Sequence, residues 1–320
     1  MFDGDPAWLS SDLFRIAQVH FDMTRSPLTL SIADPPAVMH WTYPLPLHLP
    51  GVPNVVTVHD LIPLLEPGLT DIAAVRMERL LRATIAQATC VVTVSETVRA
   101  DIVRRLGVPA DRVVNLYQAV DLPPPSDDVS VPCPVDSFLC VGSIERRKNV
   151  GRVIAAHGQS GSRRMLVLIG PEGDQAAAEL AALSAHPNPD RVLRLPWIAR
   201  PALVQAMRLA RALVFPSLAE GFGLPIAEAM TLGTPVITSR GGATEEIAGG
   251  AALLVDPLDV GEMAGAMASL DHDDGLHTRL AVAGRARARL FSVEAYGERL
   301  DRLYHRVLAG RSLPVLAGIT

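Results

Sequence analysis

The sequence predicts an α/β protein with two parallel-sheet domains, and three features support this fold class. Its 320 residues suit two domains of roughly 100–200 residues each. Short aliphatic and β-branched runs alternate with longer helical patterns, which is typical of parallel sheets covered on both faces. A proline-rich break at 122–128, followed by Pro132 and Pro134, can form neither a helix nor a central strand. We therefore expect a first domain over 1–131 and a second over 132–320.

The strand predictions rest on short aliphatic runs, and the helix predictions rest on longer segments with a helical apolar repeat. The predicted strands cover residues 55–58, 90–94, 113–116, 138–141, 166–169, 192–195, 212–215, 235–238 and 251–255. The predicted helices cover residues 72–88, 96–106, 150–157, 175–185, 202–210, 225–232, 262–270 and 292–308.

The amino-acid composition argues against several classes of protein. The chain is 49% hydrophobic and 20% charged, which predicts a folded core, and its net charge of −5 gives no support for a nucleic-acid partner. Three cysteines without metal-ligand spacing or a disulfide framework fit a reducing cytoplasm. No apolar run reaches the roughly 18 residues that a membrane span needs. Of 29 basic residues, Lys148 alone is a lysine, which draws attention to its surroundings.

The strongest motif is residues 220–228, which follow the predicted strand 212–215. Pro225 suits the first turn of a helix, where its missing N–H costs nothing. Gly221 and Gly223 allow the backbone to approach a ligand closely. The free N–H groups and the dipole of the following helix favour an anion such as phosphate.

Two carboxylates flank this anion site, Glu220 in the loop and Glu228 in the helix. Carboxylates accept hydrogen bonds from hydroxyl groups, as on a sugar and a ribose. A phosphate flanked by two polyols, a sugar and a ribose, is the arrangement found in a nucleotide sugar. The alternative is that Glu228 is a solvated helix residue and the glycines only make a turn. A lone Gly-x-Gly is weak evidence for a ligand site, but nine residues in this order after a buried strand favour the functional interpretation.

A second motif spans residues 138–149. The predicted strand ends at Gly142, and a short loop carries three consecutive cations before the next helix. Arg147 and Lys148 are placed to hold a diphosphate, and a guanidinium can bind two oxygens at once. The alternative is a solvated basic run. Cations at a helix N-terminus oppose the helix dipole, so a bound anion would offset that cost.

Two polar groups in the first half follow predicted strands. His59 ends the strand 55–58, at the position where open α/β sheets bind ligands. A lone histidine is more often structural, and its placement favours a functional role here. Ser95 follows the strand 90–94, and a plain helix N-cap explains it equally well.

Together these motifs resemble glycosyltransferase family 4, the retaining enzymes of the GT-B fold. Residues 220–228 match its E-x7-E motif and 229–237 match what normally follows. Residues 142–149 resemble its diphosphate loop, and 56–61 resemble its histidine strand. The resemblance runs from about His40 to the C-terminal helix. It implies two Rossmann-like domains that face each other across a cleft.

The resemblance also implies roles for the phosphate-binding residues. Arg147 and Lys148 would neutralise the diphosphate, in the loop that begins with Gly142 and Ser143. Glu220 would contact the hydroxyls of the donor sugar.

The remaining donor contacts follow from the same resemblance. The backbone of Phe222, Gly223 and Leu224 would pack against sugar and phosphate, and Glu228 would hold the ribose. His59 would face the transferred sugar across the cleft.

The base would sit near Trp197 and Ile198, and the helix 292–308 would cross back to brace the first domain. Two departures stand out. Ser143 replaces an arginine that many members carry. Nothing before His40 resembles the opening strand and glycine-rich loop of the family, so we expect a truncated first domain.

The implied activity is transfer of a hexose from GDP-mannose or a UDP-sugar to a glycan or lipid-linked acceptor, with retention and without a metal or other cofactor. Two alternatives remain: a non-catalytic partner subunit and a sugar-nucleotide epimerase. Hydride transfer is disfavoured, because no G-x-G-x-x-G follows a strand. Arg76, Arg79 and Arg82 share one helix face, so peripheral contact with the inner face of the membrane is an alternative to a solvated face, which is the favoured interpretation.

Overall fold

The computed structural model describes residues 12–124 and 128–310. The acidic start at 1–5, part of the proline-rich break at 125–127, and residues 311–320 of the second domain lie outside the described residues.

The described strands, numbered in chain order, are β1 (Leu28–Thr29), β2 (Met39–Trp41), β3 (Leu47–His48), β4 (Asn54–Val58), β5 (Cys90–Thr93), β6 (Val113–Asn115), β7 (Phe138–Val141), β8 (Leu166–Ile169), β9 (Val192–Leu195), β10 (Ala212–Phe215), β11 (Val236–Ser239) and β12 (Leu253–Val255). The α-helices are α1 (Leu13–Thr24), α2 (Ile62–Leu65), α3 (Ala74–Gln87), α4 (Glu96–Leu106), α5 (Val150–Ser160), α6 (Ala176–Leu180), α7 (Arg200–Leu209), α8 (Leu224–Leu232), α9 (Gly242–Ala248), α10 (Val260–His272), α11 (Asp274–Ala288) and α12 (Val293–Leu308).

The larger sheet has six parallel strands in the order β12-β11-β10-β7-β8-β9. Its central strands are buried along their whole length, which explains why they read as continuous aliphatic runs. β7 and β10 are neighbours although the chain visits β8 and β9 between them. The strand order therefore reverses between β7 and β10, where doubly wound sheets bind their ligands.

The smaller sheet has four parallel strands in the order β2-β4-β5-β6. Helices α3 and α4 cover one of its faces. The other face packs against α12, where Leu303 and Val307 contact Val92 and Leu116. The last helix therefore spans from the larger sheet back to the smaller one.

The nine predicted strands are all confirmed, with ends that shift by up to two residues. The strand predicted at 251–255, for example, begins at Leu253. The helix predicted at 175–185 is wrong in its second half, because only Ala176–Leu180 is α-helical and Ala181–Ala185 is a 3-10 helix. The sequence did not predict α11, whose buried residues include Gly284 and Ala288, because such small residues leave no visible apolar stripe.

A buried pair of histidines joins α5 to the loop before β9. The backbone N–H of Asn188 donates to Nδ1 of His186 over 3.0 Å, so His186 carries its proton on Nε2. That proton points to Nδ1 of His157, 3.0 Å away. His157 then donates from Nε2 to the carbonyl oxygen of Arg164 over 3.0 Å. The pair is satisfied only when both rings are neutral, and burial lowers the pKa of each.

This pair predicts a loss of stability in acid. Below an ordinary histidine pKa of about 6.5 the unfolded chain takes up protons that the folded pair resists. The unfolding free energy should fall by roughly 1.4 kcal/mol per pH unit for each such proton. Denaturant unfolding at pH 7.5 and pH 5.5 should show a smaller drop for His157→Gln than for the wild type. An equal drop in the two proteins would contradict the assignment, and exposed His305→Gln serves as the control.

Candidate functional site

The site forms where the loops after β7 and β10 meet at the reversal of strand order. The first loop begins at Gly142, and the second runs through Pro216 to Gly223. The carbonyl oxygen of Arg147 accepts the backbone N–H of Leu218 over 2.8 Å, which ties the two loops together. Sequence reasoning placed its two strongest motifs on these loops, and the fold makes them neighbours.

Four charged side chains from the two motifs are in direct contact. Nζ of Lys148 donates to Oε1 of Glu220 over 2.6 Å. NH1 of Arg147 lies 2.8 Å from Oε2 of the same carboxylate. NH2 of Arg147 also donates to Glu145 over 2.7 Å. Both predicted phosphate-binding cations are therefore paired with carboxylates, and a diphosphate would compete for their N–H groups or use the ones left over.

Local backbone geometry holds Lys148 in this position. Arg146–Lys148 form one 3-10 turn, which ends at Asn149 in the left-handed region with φ 61°. The Asn149 side chain stabilises that conformation, because its Nδ2 donates to the carbonyl oxygens of Pro216 and Pro257. A Cβ at Gly142 would lie 3.2 Å from Cε of Lys148, so the glycine makes room for the lysine stem.

The neighbouring carboxylates favour the charged form of Arg147 despite its burial. Burial lowers the pKa of Arg147, but the charges of Glu220 and Glu145 outweigh it and raise that pKa above its ordinary value. Nζ of Lys148 also lies 4.5 Å from the ring centre of Phe215, a cation–π contact. Both cations are thus held at fixed positions beside the loop that precedes α8.

Glu228 lies apart from this cluster, on the buried side of α8. Its side chain is 4% exposed, and it pairs with Arg200, the first residue of α7. The predicted base-binding residues Trp197 and Ile198 lie just before Arg200, and Trp197 is 74% exposed. The buried carboxylate rules out the solvated-face interpretation. It lies beside the loop that was expected to hold the base.

The start of α8 has the geometry expected from its motif. Gly223 precedes the helix with φ 96°, a left-handed conformation that glycine adopts without strain. The side chain of Phe222 is buried and meets the edge of Phe291, with ring centres 5.3 Å apart. Leu224 is exposed. Phe222 can therefore contact a ligand through its backbone alone, whereas Leu224 can also do so through its side chain.

His59 lies across the cleft, and both of its ring nitrogens are engaged. Nε2 lies 2.9 Å from the carbonyl oxygen of Thr42, so it carries the proton and donates it. Nδ1 then accepts from the Gln118 amide over 3.1 Å. A cavity of about 340 Å³ lies between His59 and Leu224, with Tyr296 also in its wall.

The E-x7-E loop touches the first domain directly at Gly221. A Cβ on Gly221 would lie 1.9 Å from the carbonyl oxygen of His59, so only glycine allows this approach. Oγ of Ser95 donates to the carbonyl oxygen of Gly221 over 2.7 Å and also caps α4 through the N–H of Val98. Ser95 is therefore both a helix cap and a contact between domains.

Glu246 makes the second joint between the domains. From α9 its carboxylate accepts the backbone N–H groups of Glu96 and Thr97 at the start of α4, over 2.7 and 2.8 Å. It also accepts the Thr97 hydroxyl over 2.7 Å. A carboxylate at a helix N-terminus is stabilised by the free N–H groups and the helix dipole.

We expect Glu246→Ala to loosen this joint. The variant leaves the first N–H groups of α4 without their acceptor and removes charge-assisted hydrogen bonds. Amide exchange at Glu96 and Thr97 should accelerate by about tenfold, the change that corresponds to about 1.4 kcal/mol. Glu245→Ala is the matched control, because the Glu245 carboxylate accepts the N–H of Gly241 in its own domain. Unchanged exchange in Glu246→Ala would contradict the role of this joint.

The structure thus brings some predicted residues together and leaves others apart. Arg147, Lys148 and Glu220 form one cluster, and His59 reaches it through Gly221. The other predicted residues lie on three further segments: Gly142 and Ser143 after β7, Trp197 and Ile198 before α7, and Phe222, Gly223, Leu224 and Glu228 at the start of α8 and within it.

Sequence reasoning missed Arg200, Gln118 and Glu246. Gln118 follows the carboxyl end of a predicted strand, as His59 does, so the rule that found the histidine could also have found the amide. The contacts of Arg200 and Glu246 join distant segments, and no local pattern marks them.

The basic face of α3 is engaged by carboxylates within the protein. Arg76 pairs with Asp22, and Arg82 pairs with Glu78, which favours the solvated-face interpretation for this helix. None of the helices in the described part is both long enough and apolar enough to cross a bilayer. Within the described residues, no group of three or more His, Cys, Asp and Glu side chains is arranged to hold a metal ion.

Two family models match the chain. Residues 15–123 match the family described as Glycosyltransferase Family 4. Residues 135–287 match Glycosyl transferases group 1. Between them they cover both sheets and every predicted site residue.

Among curated relatives, O-antigen chain mannosyltransferase B of Escherichia coli is 30% identical over 255 residues, which are 75% of this chain and 67% of the relative. The chain thus spans about two thirds of the length of this relative.

Two solved structures are similar in fold. Sucrose-phosphate synthase from Thermosynechococcus elongatus has a TM-score of 0.71 and 24% identity, over 86% of this chain and 74% of that one. HepE from Anabaena, in complex with UDP and glucose, has a TM-score of 0.65 and 19% identity, over 79% of this chain and 72% of that one. With the two parallel sheets, these likenesses confirm the predicted GT-B fold.

Proposed function

Because this chain belongs to glycosyltransferase family 4, we propose that it transfers a hexose from a nucleoside-diphosphate sugar to a hydroxyl of a glycan or lipid-linked acceptor. We propose retention of the anomeric configuration. The single observation that carries the proposal is the Arg147–Glu220–Lys148 cluster at the reversal of strand order. Its cations lie where a doubly wound sheet would bind the diphosphate of a nucleotide.

The cluster supports a specific division of labour. Negative charge develops on the leaving diphosphate, and fixed cations stabilise such charge strongly in a cleft with little water. Arg147 and Lys148 supply those cations, and Glu220 holds them in place until the donor arrives. With the donor bound, Glu220 accepts hydrogen bonds from the sugar hydroxyls, since its two carboxylate oxygens can each accept more than one hydrogen bond.

The hydrogen bonds of His59 determine which group can take the proton of the acceptor hydroxyl. Its Nε2 donates to Thr42 and its Nδ1 accepts from Gln118, so neither nitrogen is left to act as a base. We assign it a positioning role. The acceptor oxygen bonds to the anomeric carbon as the bond from that carbon to the diphosphate breaks, and the acceptor proton passes to the leaving phosphate oxygen.

The donor is a GDP- or UDP-sugar in this proposal. The Escherichia coli relative is a mannosyltransferase by name, which supports GDP-mannose, and the HepE complex holds UDP, which supports a UDP-sugar. The O-antigen name supports polysaccharide assembly. The three free thiols fit the cytoplasm, and peripheral contact with the inner face of the membrane would fit a lipid-linked acceptor.

A turnover assay tests this proposal. The purified chain is incubated with GDP-mannose or UDP-glucose in EDTA, and donor loss and the anomeric proton of the product are followed by NMR. We expect turnover without added metal, because Arg147 and Lys148 supply the positive charge, and a product with the donor's anomeric configuration. An inverted product would contradict retention. A rate that EDTA abolishes and Mn²⁺ restores would contradict the metal-free proposal.

A further inference from the structure

An ion pair joins the start of α7 to the buried carboxylate of α8. NH2 of Arg200 donates to Oε1 of Glu228, 28 positions further along the chain. The Glu228 side chain is 4% exposed, whereas that of Arg200 is 43% exposed. The pair therefore runs from the interior to the surface. Its outer end directly follows the loop of Trp197 and Ile198, which is expected to hold the base.

Helix formation gives no reason for an arginine at position 200. Arg200 is the first residue of α7, and the alanine before it has no polar side-chain atom that could cap the helix. A cation at a helix N-terminus is opposed by the helix dipole, because the free N–H groups there carry partial positive charge. The ion pair with Glu228 offsets that cost. The position of Arg200 thus suits the carboxylate rather than its own helix.

Other contacts already hold α7 against α8. Oγ1 of Thr234, just after α8, donates to the carbonyl oxygen of Met207 in α7 over 2.6 Å. Met207 is fully buried in the same apolar core as Ile226 and Met230 of α8. These contacts fix the C-terminal half of α7 independently of the ion pair. A role in placing the helix therefore does not account for Arg200.

The ion pair leaves Glu228 with room for a ligand. A buried carboxylate is costly unless a counter-charge and hydrogen bonds accompany it. Arg200 supplies the counter-charge, and its bond to Oε1 restricts the orientation of the carboxylate. The two oxygens of a carboxylate together accept about four hydrogen bonds. Two hydroxyls can therefore still donate to Glu228, as the neighbouring 2′- and 3′-hydroxyls of a ribose would.

We infer that Arg200 is a positioning residue: it orients Glu228 toward both ribose hydroxyls and so selects ribonucleotide donors against 2′-deoxyribonucleotide donors. The inference rests on the proposed transferase function. A 2′-deoxyribose lacks one of the two hydroxyls and leaves part of a buried carboxylate unpaired, which costs free energy. That penalty depends on a carboxylate that cannot turn away, and Arg200 provides the restraint.

The same contact allows two other roles, and each makes a different prediction. If Arg200 occupied the place of the ribose, it would block the site, and its removal would tighten binding of the ribonucleotide. If Arg200 only supported the fold, its removal would weaken binding of both kinds of nucleotide equally. A positioning arginine strengthens binding of the ribonucleotide alone.

Calorimetry with matched nucleotides separates these roles. GDP, UDP and their 2′-deoxy analogues are titrated into the full chain and into Arg200→Met, which keeps an unbranched apolar stem but loses the charge. We expect the wild type to bind its ribonucleotide at least about tenfold more tightly than the 2′-deoxy analogue, the effect of one hydrogen bond to a charged group. In Arg200→Met the ratio should fall below about threefold, through weaker binding of the ribonucleotide alone.

Two further variants make the test specific. Arg200→Lys keeps the positive charge and should recover part of the ratio. Arg194→Met is the matched control, because the Arg194 side chain is 40% exposed and pairs with Glu172 instead. Both nucleotide affinities of that control should equal those of the wild type.

Three results in Arg200→Met would overturn the inference: an unchanged ratio, tighter binding of the ribonucleotide, or loss of both nucleotides. Equal binding of a ribonucleotide and its 2′-deoxy analogue by the wild type would overturn it as well. All four results leave the proposed function standing. A wild type that binds neither GDP nor UDP would contradict the proposed function itself, and the inference with it.

Discussion

Lys148→Ala is expected to reduce kcat for donor turnover by about 10²–10³, the cost of removing one preorganised group that stabilises developing charge. Nζ of Lys148 lies 2.6 Å from Glu220 and 4.5 Å from the ring centre of Phe215. The ammonium group is thus fixed before the donor arrives, and no second lysine exists in the chain to replace it. The rate of donor consumption at saturating donor measures the effect.

Two further variants make this test specific. Arg146→Ala removes the neighbouring cation, which belongs to the same 3-10 turn but makes no ion pair within the described residues. We expect donor affinity to be unchanged in that protein. Lys148→Arg keeps the charge and should recover part of the lost rate. A kcat in Lys148→Ala within about threefold of the wild type would rule out electrostatic stabilisation as its role.

Gly221→Ala should lower kcat by about 100-fold, the effect expected when catalytic groups are displaced by about 1 Å. The added methyl group would lie 1.9 Å from the carbonyl oxygen of His59. Backbone atoms cannot move aside as the end of a flexible side chain can, so the loop and the first domain must separate. The hydrogen bond that Ser95 donates to the carbonyl oxygen of Gly221 over 2.7 Å would be distorted as well.

The clash lies between domains, so each domain should still fold and the nucleotide should still bind. Nucleotide affinity and thermal unfolding of Gly221→Ala are therefore expected to stay near the wild-type values, while kcat falls. Gly265→Ala is the matched control, because a Cβ there has no neighbour within 4 Å. Turnover by Gly221→Ala within about threefold of the wild type would show that this close approach is not needed.

The larger sheet was predictable almost residue by residue because its central strands are buried along their whole length. A strand such as Leu166–Ile169 has aliphatic side chains at every position, so its sequence cannot be mistaken for an alternating, half-exposed strand. The site loops were predictable for the same reason, since each directly follows such a strand. The reversal of strand order then places Lys148 beside Glu220.

The pairing of the site residues was not predictable. Arg200 is 28 positions from Glu228, and Glu246 is 149 positions from Thr97. Such contacts depend on how helices pack on the sheets, and a single sequence carries no local signal for them. The same limit applies to Gly221, for which the sequence suggested a close approach to a ligand or a turn, whereas the structure shows that it allows two backbones to approach.

A calorimetric titration of the purified chain with GDP-mannose and with UDP-glucose, beside Glu228→Ala, tests the donor site most directly. Glu228 is buried beside the loop that holds Trp197 and Ile198, and its carboxylate is the proposed acceptor for the ribose hydroxyls. We predict that one donor binds the wild type and that Glu228→Ala binds it at least about tenfold more weakly, the cost of leaving buried hydrogen-bonding groups unpaired. Failure of both donors to bind, or equal binding by the variant, would contradict the site.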